Sequence, residues 1–433
     1  MTTLDARDYN PGMDPSDRIT AIRARYVFPV LSPPIEGGVI TFRGRQIIAV
    51  EKSSDIAADD LGNVAVVPGF VNAHTHLEFS DLRRPLGEPG EPLPAWIRRV
   101  ISYRRDHSRI AASALHAGVA ESLRSGVTAM GEIDAGAWRQ SQQVPLPTMT
   151  LFREVIKPDS MRPDTLMAYI ASIGQKLVQR TADGGVAGLS PHAPYSVHPQ
   201  LLGPLVELAQ RNHYPVAMHL AESPEEIALL RTGRGPLRDL LMELGVWRND
   251  ANLVGVRPLH YMQLLCNAPR GMVVHGNFLD DEEIEFAAGN RDRLAITYCP
   301  RTHAFFQHPP YPLQRLWSSG ATICIGTDSR ASNPDLNMLE ELKFAAAHHP
   351  SVPPREILRF GTLNGAGMLS GNDDFGALAP GRRADLAVIQ LPSRDAADPH
   401  ELLFCDETRV VQTWYGGRHK KGDSHQIQGD YDE

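Results

Sequence analysis

The sequence predicts a (β/α)8 TIM barrel that carries a small discontinuous β-sandwich domain formed by both chain ends. Eight short apolar segments in the middle of the chain alternate with amphipathic segments, which is typical of parallel strands joined by helical crossovers. Both ends show short β-branched segments between Gly and Pro turns instead. We therefore expect residues 1–65 and 371–433 to form the β-domain, with loose tails, around a barrel over residues 66–370.

The eight predicted barrel strands are short and apolar. An open doubly wound sheet is the alternative, but such a sheet would be expected to have a Gly-rich phosphate-binding turn after an early strand, and the chain shows none. The barrel is therefore the favoured fold. In chain order the predicted strands read VVPGFVNA, GVTAMGEI, PTMTLFREVI, GVAGLSP, PVAMHLA, GMVVHGN, LAITYCP and ATICIGT.

The composition argues against several classes of partner. The 433 residues carry a formal net charge of -8, and no run of Lys and Arg exceeds two residues, so nucleic acid is not the expected partner. No apolar run approaches the roughly 20 residues of a membrane span, and the acidic N-terminus is unlike a secretory signal. The cysteines lack paired spacing, which favours reduced thiols and a cytoplasmic location.

Polar residues that can bind metal or move protons follow the predicted strands. His74 and His76 close the first strand, and residues two apart on a strand project to one face. Because active sites of this barrel lie at the C-terminal ends of its strands, we expect these residues to converge. The remaining members are His192 after the fourth strand, His219 after the fifth, His275 after the sixth and Asp328 after the eighth.

Three histidines and one aspartate suit a divalent cation, either zinc or iron, and leave a position open for water. Such an ion lowers the pKa of its water to about 7, and Asp328 could act as both ligand and base. Glu222, three residues after His219, could transfer protons, or it could be a helix-start glutamate favoured by the helix dipole. His275 could orient the attacking water or hold developing charge.

Five segments, taken in order, resemble the amidohydrolase superfamily. They read PGFVNAHTHLE, SPHAPYSV, MHLAES, VVHGN and GTDSRAS. The resemblance spans residues 66–369. Within the superfamily the segments resemble the cytosine-deaminase-like branch, which includes deaminases of adenosine derivatives, guanine and cytosine as well as triazine chlorohydrolases. It implies that the metal ligands are His74, His76, His219 and Asp328.

The same resemblance implies roles for the other conspicuous residues. Glu222 would protonate a ring nitrogen of the substrate, His275 would orient the water, and His192 would contact the ring. Relatives with two ions place a lysine at the end of the fourth strand, and GVAGLSPHAP has none, which implies one ion per chain, with zinc favoured over iron. The implied protein is a metal-dependent hydrolytic deaminase, cytoplasmic and homodimeric, that releases ammonia from an aminated heterocycle.

The loops are most similar to deaminases of aminodeoxyfutalosine, an adenine nucleoside, because of HTHLEFSDL and LPAWIRRVISYRR. Glu78 is a candidate for ribose hydroxyls. Trp96 could cover the ring or pack a helix, and Arg153 could bind a ribose or carboxylate or form a rim salt bridge. The Ser-Asn pair that many relatives carry after the seventh strand is replaced by Thr302 and His303, and His303 could contact substrate or cap nearby backbone.

Two further interpretations use the same barrel. The same activated water could hydrolyse another C–N or C–halogen bond, as in N-acyl, guanine, cytosine or triazine substrates. A non-catalytic barrel would be expected to lose metal ligands, and here all four candidates and both proton-transfer residues are present.

Overall fold

The computed structural model describes residues 19–107, 112–136, 147–182, 186–249, 253–371 and 373–419. The predicted loose tail at residues 1–17 and the tail beyond residue 419 lie outside them. Seven strands precede the barrel, eight form it and three follow. In chain order they are β1 (Ile19–Arg23), β2 (Tyr26–Val27), β3 (Ile35–Glu36), β4 (Val39–Arg43), β5 (Gln46–Glu51), β6 (Asp59–Asp60), β7 (Val64–Pro68), β8 (Phe70–Thr75), β9 (Val127–Asp134), β10 (Thr148–Val155), β11 (Val186–Pro191), β12 (Val216–Leu220), β13 (Gly271–His275), β14 (Leu294–Tyr298), β15 (Thr322–Ile325), β16 (Leu386–Gln390), β17 (Arg409–Tyr415) and β18 (Arg418–His419).

The helices lie between the barrel strands or after the last of them. Most begin with a proline in the first turn, where its missing N–H costs nothing. In chain order they are α1 (Leu93–Asp106), α2 (Ala112–Arg124), α3 (Pro163–Ala182), α4 (Pro199–Asn212), α5 (Pro224–Thr232), α6 (Pro236–Glu243), α7 (Pro258–Leu265), α8 (Asp281–Gly289), α9 (Pro300–Phe305), α10 (Leu313–Ser319), α11 (Met338–His348), α12 (Pro354–Phe360) and α13 (Leu363–Ser370).

Strands β8 to β15 form one parallel sheet in which each strand pairs with its neighbours in chain order. A parallel bridge between Thr75 and Asp328 joins the two outer strands and closes the sheet. The predicted (β/α)8 barrel is therefore confirmed.

Side chains alternate between the inside and the outside of the barrel, as period-2 strands require. On β10, for example, Leu151 packs into the cluster shared with the surrounding helices, whereas Phe152 joins a separate inner cluster. That inner cluster takes residues from strands all around the barrel: Val71, Ala129, Phe152, Ala217, Met272, Ala295 and Cys324.

The strands outside the barrel form two sheets, the first from the N-terminal part of the chain alone and the second from both ends. One has the order β5-β4-β1-β6, and the other has the order β18-β17-β16-β7-β2-β3. Residues of both sheets, among them Phe42 and Ile40 of the first and Val66 and Leu386 of the second, share one core cluster. This is the β-sandwich built from both chain ends that the sequence predicts.

The first predicted barrel strand is two strands. VVPGFVNA divides at Gly69: Val64–Pro68 pairs with β16 in the sandwich, and the barrel strand begins at Phe70. A Cβ at Gly69 would fall 2.1 Å from Thr128 Oγ1, so only glycine permits this close crossing between the two layers. The domain bounds proposed from the sequence otherwise stay a prediction.

None of the helices in the described ranges combines the length and the apolar content needed to cross a membrane. The predicted cytoplasmic location and homodimer stay predictions.

We expect Gly326→Ala to destabilise the fold at the closure of the barrel. The new Cβ would lie 2.8 Å from the carbonyl oxygen and 3.0 Å from the amide nitrogen of His74, and backbone cannot yield as a flexible side chain would. A loss of about 1–3 kcal/mol in the free energy of unfolding should appear in denaturant titrations.

Gly203→Ala is the matched control, because nothing lies within 4 Å of its added Cβ on α4. This substitution should raise stability by up to about 1 kcal/mol through helix propensity. Equal unfolding midpoints for the two variants would contradict the close approach inferred at Gly326.

Candidate active site

Three imidazoles and a carboxylate converge at the C-terminal ends of β8, β12 and β15. Candidate ligand atoms of His74, His76 and His219 all lie within 4.8 Å of one another, and the Nε2 atoms of His76 and His219 are 3.4 Å apart. Asp328 Oδ1 lies 3.5 Å from His74 Nε2 and 3.7 Å from His76 Nε2. Two nitrogens bound tetrahedrally to one zinc ion at about 2.1 Å are about 3.4 Å apart, so the spacing fits a single ion.

The environment of these groups also fits a cation. His74 is 1% exposed, and within the described part of the chain neither of its ring nitrogens has a hydrogen-bond partner, nor does His76 Nδ1. Burial lowers the pKa of His74 to about 3, and it lowers the pKa values of His76 and His219 well below their usual range. Neutral imidazoles with free lone pairs are what a divalent ion binds, and buried nitrogens without partners need such an explanation.

His219 is held in one orientation by the neighbouring strand. Its Nδ1 lies 3.0 Å from the carbonyl oxygen of His192, to which the Nδ1–H donates. The lone pair is thereby placed on Nε2, the atom that faces His76. Outer hydrogen bonds of this kind set the tautomer of metal-binding histidines.

Asp328 is oriented by a chain of hydroxyl groups. Ser332 Oγ donates to Asp328 Oδ2 at 2.8 Å, and Thr302 Oγ1 lies 3.0 Å from Ser332 Oγ. One carboxylate oxygen is thus occupied, and the other faces the histidines. Thr302, which stands after the seventh strand where many relatives carry the serine of a Ser-Asn pair, therefore contacts Asp328 only through Ser332.

Local backbone irregularities aim several of these side chains into the barrel. On β13, alternation would place His275 outside, since Val274 packs inside, but the left-handed φ of 70° at His275 reverses its direction. Asp328 has a φ of 55°, and the pairing of β8 with β9 shifts register between Asn72 and Thr75, next to His74.

Glu222 and His275 form the second part of the site. His275 Nε2 lies 3.6 Å from Glu222 Oε1, and both residues are buried. Burial, reinforced by the negative charges of Asp328 and Glu226, raises the pKa of Glu222 well above its usual range. Burial lowers the pKa of His275 well below its usual range. Burial therefore favours the protonated form of the Glu222 carboxyl and the neutral form of the His275 imidazole.

The turn that carries Glu222 is held by a second glutamate. The carboxylate of Glu226 accepts the backbone N–H groups of Ala221 and Glu222, each at 2.9 Å. Ser223 caps the same helix by accepting the N–H of Glu226. Asn277 adds a bond from its amide to the Glu222 carbonyl oxygen at 2.8 Å. The backbone on both sides of Glu222 is thereby tied down.

Two of the five predicted substrate residues border this site. The His192 ring lies 4.9 Å from the ring of His219, and its Nδ1 is 2.7 Å from Ser196 Oγ. Glu78 is buried and accepts from Arg104 Nη2 at 2.5 Å. Their predicted contacts with substrate stay predictions.

The other three predicted substrate residues make different contacts, and their predicted contacts with substrate also stay predictions. The Trp96 indole N–H donates to the Ala331 carbonyl oxygen at 3.1 Å and joins a small apolar cluster. Arg153 shares the outer face of β10 with Leu151. The His303 ring packs edge-on against Tyr311, 5.5 Å away, and the Tyr311 hydroxyl donates to the His275 carbonyl oxygen.

The sequence does not single out four residues that the fold brings to the site. Glu226 had a detectable signal, because SPEE has the Ser-x-x-Glu spacing of a helix N-terminal cap. The other three carry no such signal: Arg104, Glu154 and Ser332. Arg104 and Glu154 are far apart in sequence, and Ser332 is less conspicuous than Asp328, to which it donates.

The barrel, with its cluster of histidines and acidic residues at the strand ends, matches one protein family. The model of the amidohydrolase family matches residues 65–419, and the chain belongs to this family. The resemblance carried by the five sequence segments is thereby confirmed at the level of the family.

Curated relatives are named deaminases. The chain is 29% identical over 331 residues to the aminodeoxyfutalosine deaminase of Deinococcus radiodurans, covering 74% of this chain and 77% of that protein. It is also 29% identical over 390 residues to the 5-methylthioadenosine/S-adenosylhomocysteine deaminase of Pelotomaculum thermopropionicum, covering 84% and 83%.

Solved structures show the same fold. The aminofutalosine deaminase of Helicobacter pylori, in complex with methylthio-coformycin, superposes with a TM-score of 0.79 at 21% identity, covering 93% of this chain and all of that chain. A zinc-bound adenosine deaminase of Xanthomonas campestris gives a TM-score of 0.72 at 24% identity, covering 93% and 92%.

We expect His219→Ala to lower the content of bound divalent metal, because it removes one of three converging nitrogens. Metal analysis of the purified protein after dialysis is the measurement. His348→Ala, on the exposed surface of α11, is the control and should retain the metal content of the unaltered protein. Full metal occupancy in His219→Ala would remove His219 from the ligand set.

Proposed function

We propose that the protein is a metal-dependent hydrolytic deaminase that releases ammonia from an aminated heterocycle, in particular an adenine nucleoside derivative. The observation that carries the proposal is the placement of a buried Glu222 carboxyl beside His275, at the rim of the same barrel that assembles the three histidines and Asp328. Proton donation and nucleophile placement are the two needs of this reaction, and they are served here by separate groups.

The relatives support the choice among reactions. Both curated deaminases cited above act, by name, on adenosine derivatives, and the alignments span more than three quarters of their lengths. Aminodeoxyfutalosine is the substrate that the sequence itself favours, and 5-methylthioadenosine or S-adenosylhomocysteine is the alternative that the second relative supports.

The candidate ligands fit one divalent ion per chain, zinc or iron, held by His74, His76, His219 and Asp328. When bound, such an ion would supply an activated water and positive charge against the anion that develops on the substrate. The other steps belong to side chains of this chain.

Glu222 donates a proton to the ring nitrogen next to the carbon under attack, and burial favours the protonated carboxyl that this step needs. The added proton makes that carbon more electrophilic. His275, neutral and held by its own left-handed backbone, orients the attacking water through Nε2. Asp328 presents Oδ1 to accept one proton of the water and helps deliver it to the departing ammonia, while Ser332 keeps Oδ2 occupied. The second proton of the water returns to Glu222 when the carbonyl group of the product forms.

We expect Glu222→Gln to lower kcat by about 10²–10⁴-fold, the usual contribution of a positioned general acid. The amide has the shape of the protonated acid but no acidic proton, and because Glu222 is not a candidate ligand, metal content should not change. Glu207→Gln, an exposed position on α4, is the control for the substitution itself. Unaltered turnover in Glu222→Gln would refute the proton-transfer role.

The reaction class is tested by ammonia release from a panel of compounds incubated with metal-loaded protein. The panel contains aminodeoxyfutalosine, adenosine, thioether adenosines, guanine and cytosine. We expect the adenine nucleosides to be processed with the highest kcat/KM. If no compound releases ammonia, the deaminase assignment is wrong. Hydrolysis of another C–N or C–halogen bond then becomes the better interpretation of the same site.

A further inference from the structure

A three-residue ionic cluster lies beside the candidate active site, on its β8–β10 side. The Arg104 guanidinium, at the end of α1, places Nη2 2.5 Å from Glu78 Oε1 and 3.9 Å from Glu154 Oε2. Glu78 lies two residues after His76, and Glu154 lies at the end of β10. One guanidinium therefore faces two carboxylates and forms a hydrogen bond with only one of them.

Two polar atoms of this cluster are buried without a partner. Among the residues that the structure describes, Glu154 Oε1 and Arg104 Nε have no hydrogen-bond partner, although the Glu154 side chain is only 5% exposed. A buried acceptor and a buried donor without hydrogen bonds cost free energy unless another molecule satisfies them. The Arg104 side chain is 32% exposed, so the cluster can be reached from solvent.

Glu154 faces the active site and not the outer helices. It shares the inner face of β10 with Phe152, and its Oε1 lies 4.0 Å from His192 Nε2, too far for a hydrogen bond. His192 in turn packs against His219. The unpartnered carboxylate oxygen therefore lies one imidazole away from the candidate metal ligands.

The order of the strands places this cluster opposite the proton donor. Glu222 follows β12, His192 follows β11 and Glu154 ends β10, and these three strands are neighbours. Two strand spacings of about 4.8 Å separate the outer pair by about 10 Å at the rim. A purine whose six-membered ring meets Glu222 would extend past His192 and bring its sugar toward Glu154.

We propose that Arg104 and Glu154, together with Glu78, form a subsite for the vicinal hydroxyls of a ribonucleoside substrate. This inference rests on the proposed deaminase function. A hydroxyl group donates one hydrogen bond and accepts others, so the two hydroxyls of a diol satisfy both unpartnered atoms: one donates to Glu154 Oε1 and the other accepts from Arg104 Nε. The bonds are charge-assisted and hence strong enough to discriminate between sugars.

The test compares adenosine with 2′,3′-dideoxyadenosine in metal-loaded protein, with ammonia release as the measurement. The unaltered protein should favour adenosine by at least about tenfold in kcat/KM, the size of one charged hydrogen bond. Glu154→Gln and, separately, Arg104→Lys should lower kcat/KM for adenosine by about 10–100-fold and leave that for the dideoxy compound within about twofold.

Matched controls come from an ion pair on the same helix. Arg98, also on α1, pairs with Glu243 at 2.7 Å on the exposed surface. Arg98→Lys and Glu243→Gln should leave both substrates unaffected. Metal content and thermal unfolding of all four variants verify that the fold and the metal site are intact. If Glu154→Gln does not fold, Arg104→Lys still tests the proposal, because the Arg104 side chain is partly exposed.

The outcomes separate the two hypotheses. Ammonia release from adenosine without a preference between the two sugars would overturn the subsite while leaving the deaminase proposal standing. An equal loss for both substrates in the Glu154 and Arg104 variants would also overturn the subsite, since it would show a structural role only. No ammonia from any aminated purine would overturn the proposed function itself, and the subsite with it.

Discussion

The seam between β8 and β15 is the constraint on which the rest of the site depends. There the N–H of Asp328 donates to the carbonyl oxygen of His74 at 3.0 Å, and Thr75 forms the bridge that closes the barrel. Thr75 also donates a hydrogen bond to the Asp328 carbonyl oxygen, although the two residues are 253 positions apart in sequence. Because closure itself brings the aspartate to the histidines, a sheet left open here would have no four-residue centre.

Burial is the second determinant, and it acts on each group according to its charge. Low polarity disfavours the ionised form, so it lowers the pKa values of the imidazoles and raises the pKa of Glu222. Burying these polar groups without hydrogen bonds would cost free energy, and neighbouring side chains provide the bonds. Glu226 accepts from the N–H groups of the turn, and Ser332 donates to one oxygen of Asp328. The site is therefore prepared by its neighbours before any ligand arrives.

Helix α1 and the segment before it cover this centre from one side. The Trp96 N–H ties the helix to Ala331, three residues after Asp328, and the backbone N–H of Gly90 donates to the Phe305 carbonyl oxygen on α9. At the far end of the helix, Arg104 reaches Glu78 and Glu154. One helix thus connects the loop of the aspartate with the side of the barrel where we place the substrate's sugar.

The sequence alone determined the barrel, its strands and the conspicuous residues at their ends, because hydrophobic periodicity and strand-end placement are local signals that a single segment carries. His74, His76, His219, Asp328 and Glu222 were all accessible in this way. It also predicted the sandwich from both chain ends, but not its division from the barrel at Gly69, which depends on how closely Thr128 approaches from a neighbouring strand.

Only the tertiary structure decided which face of a strand reaches the centre and which distant side chains meet there. Arg153 is the conspicuous charge on β10, yet the pleat of the strand turns Glu154 inward instead, and Arg104 reaches it from a helix some fifty residues earlier. His275 faces the site because its backbone is left-handed, against the alternation of its strand. Contacts between remote segments and local reversals of backbone direction arise from packing, and no periodicity in the sequence records them.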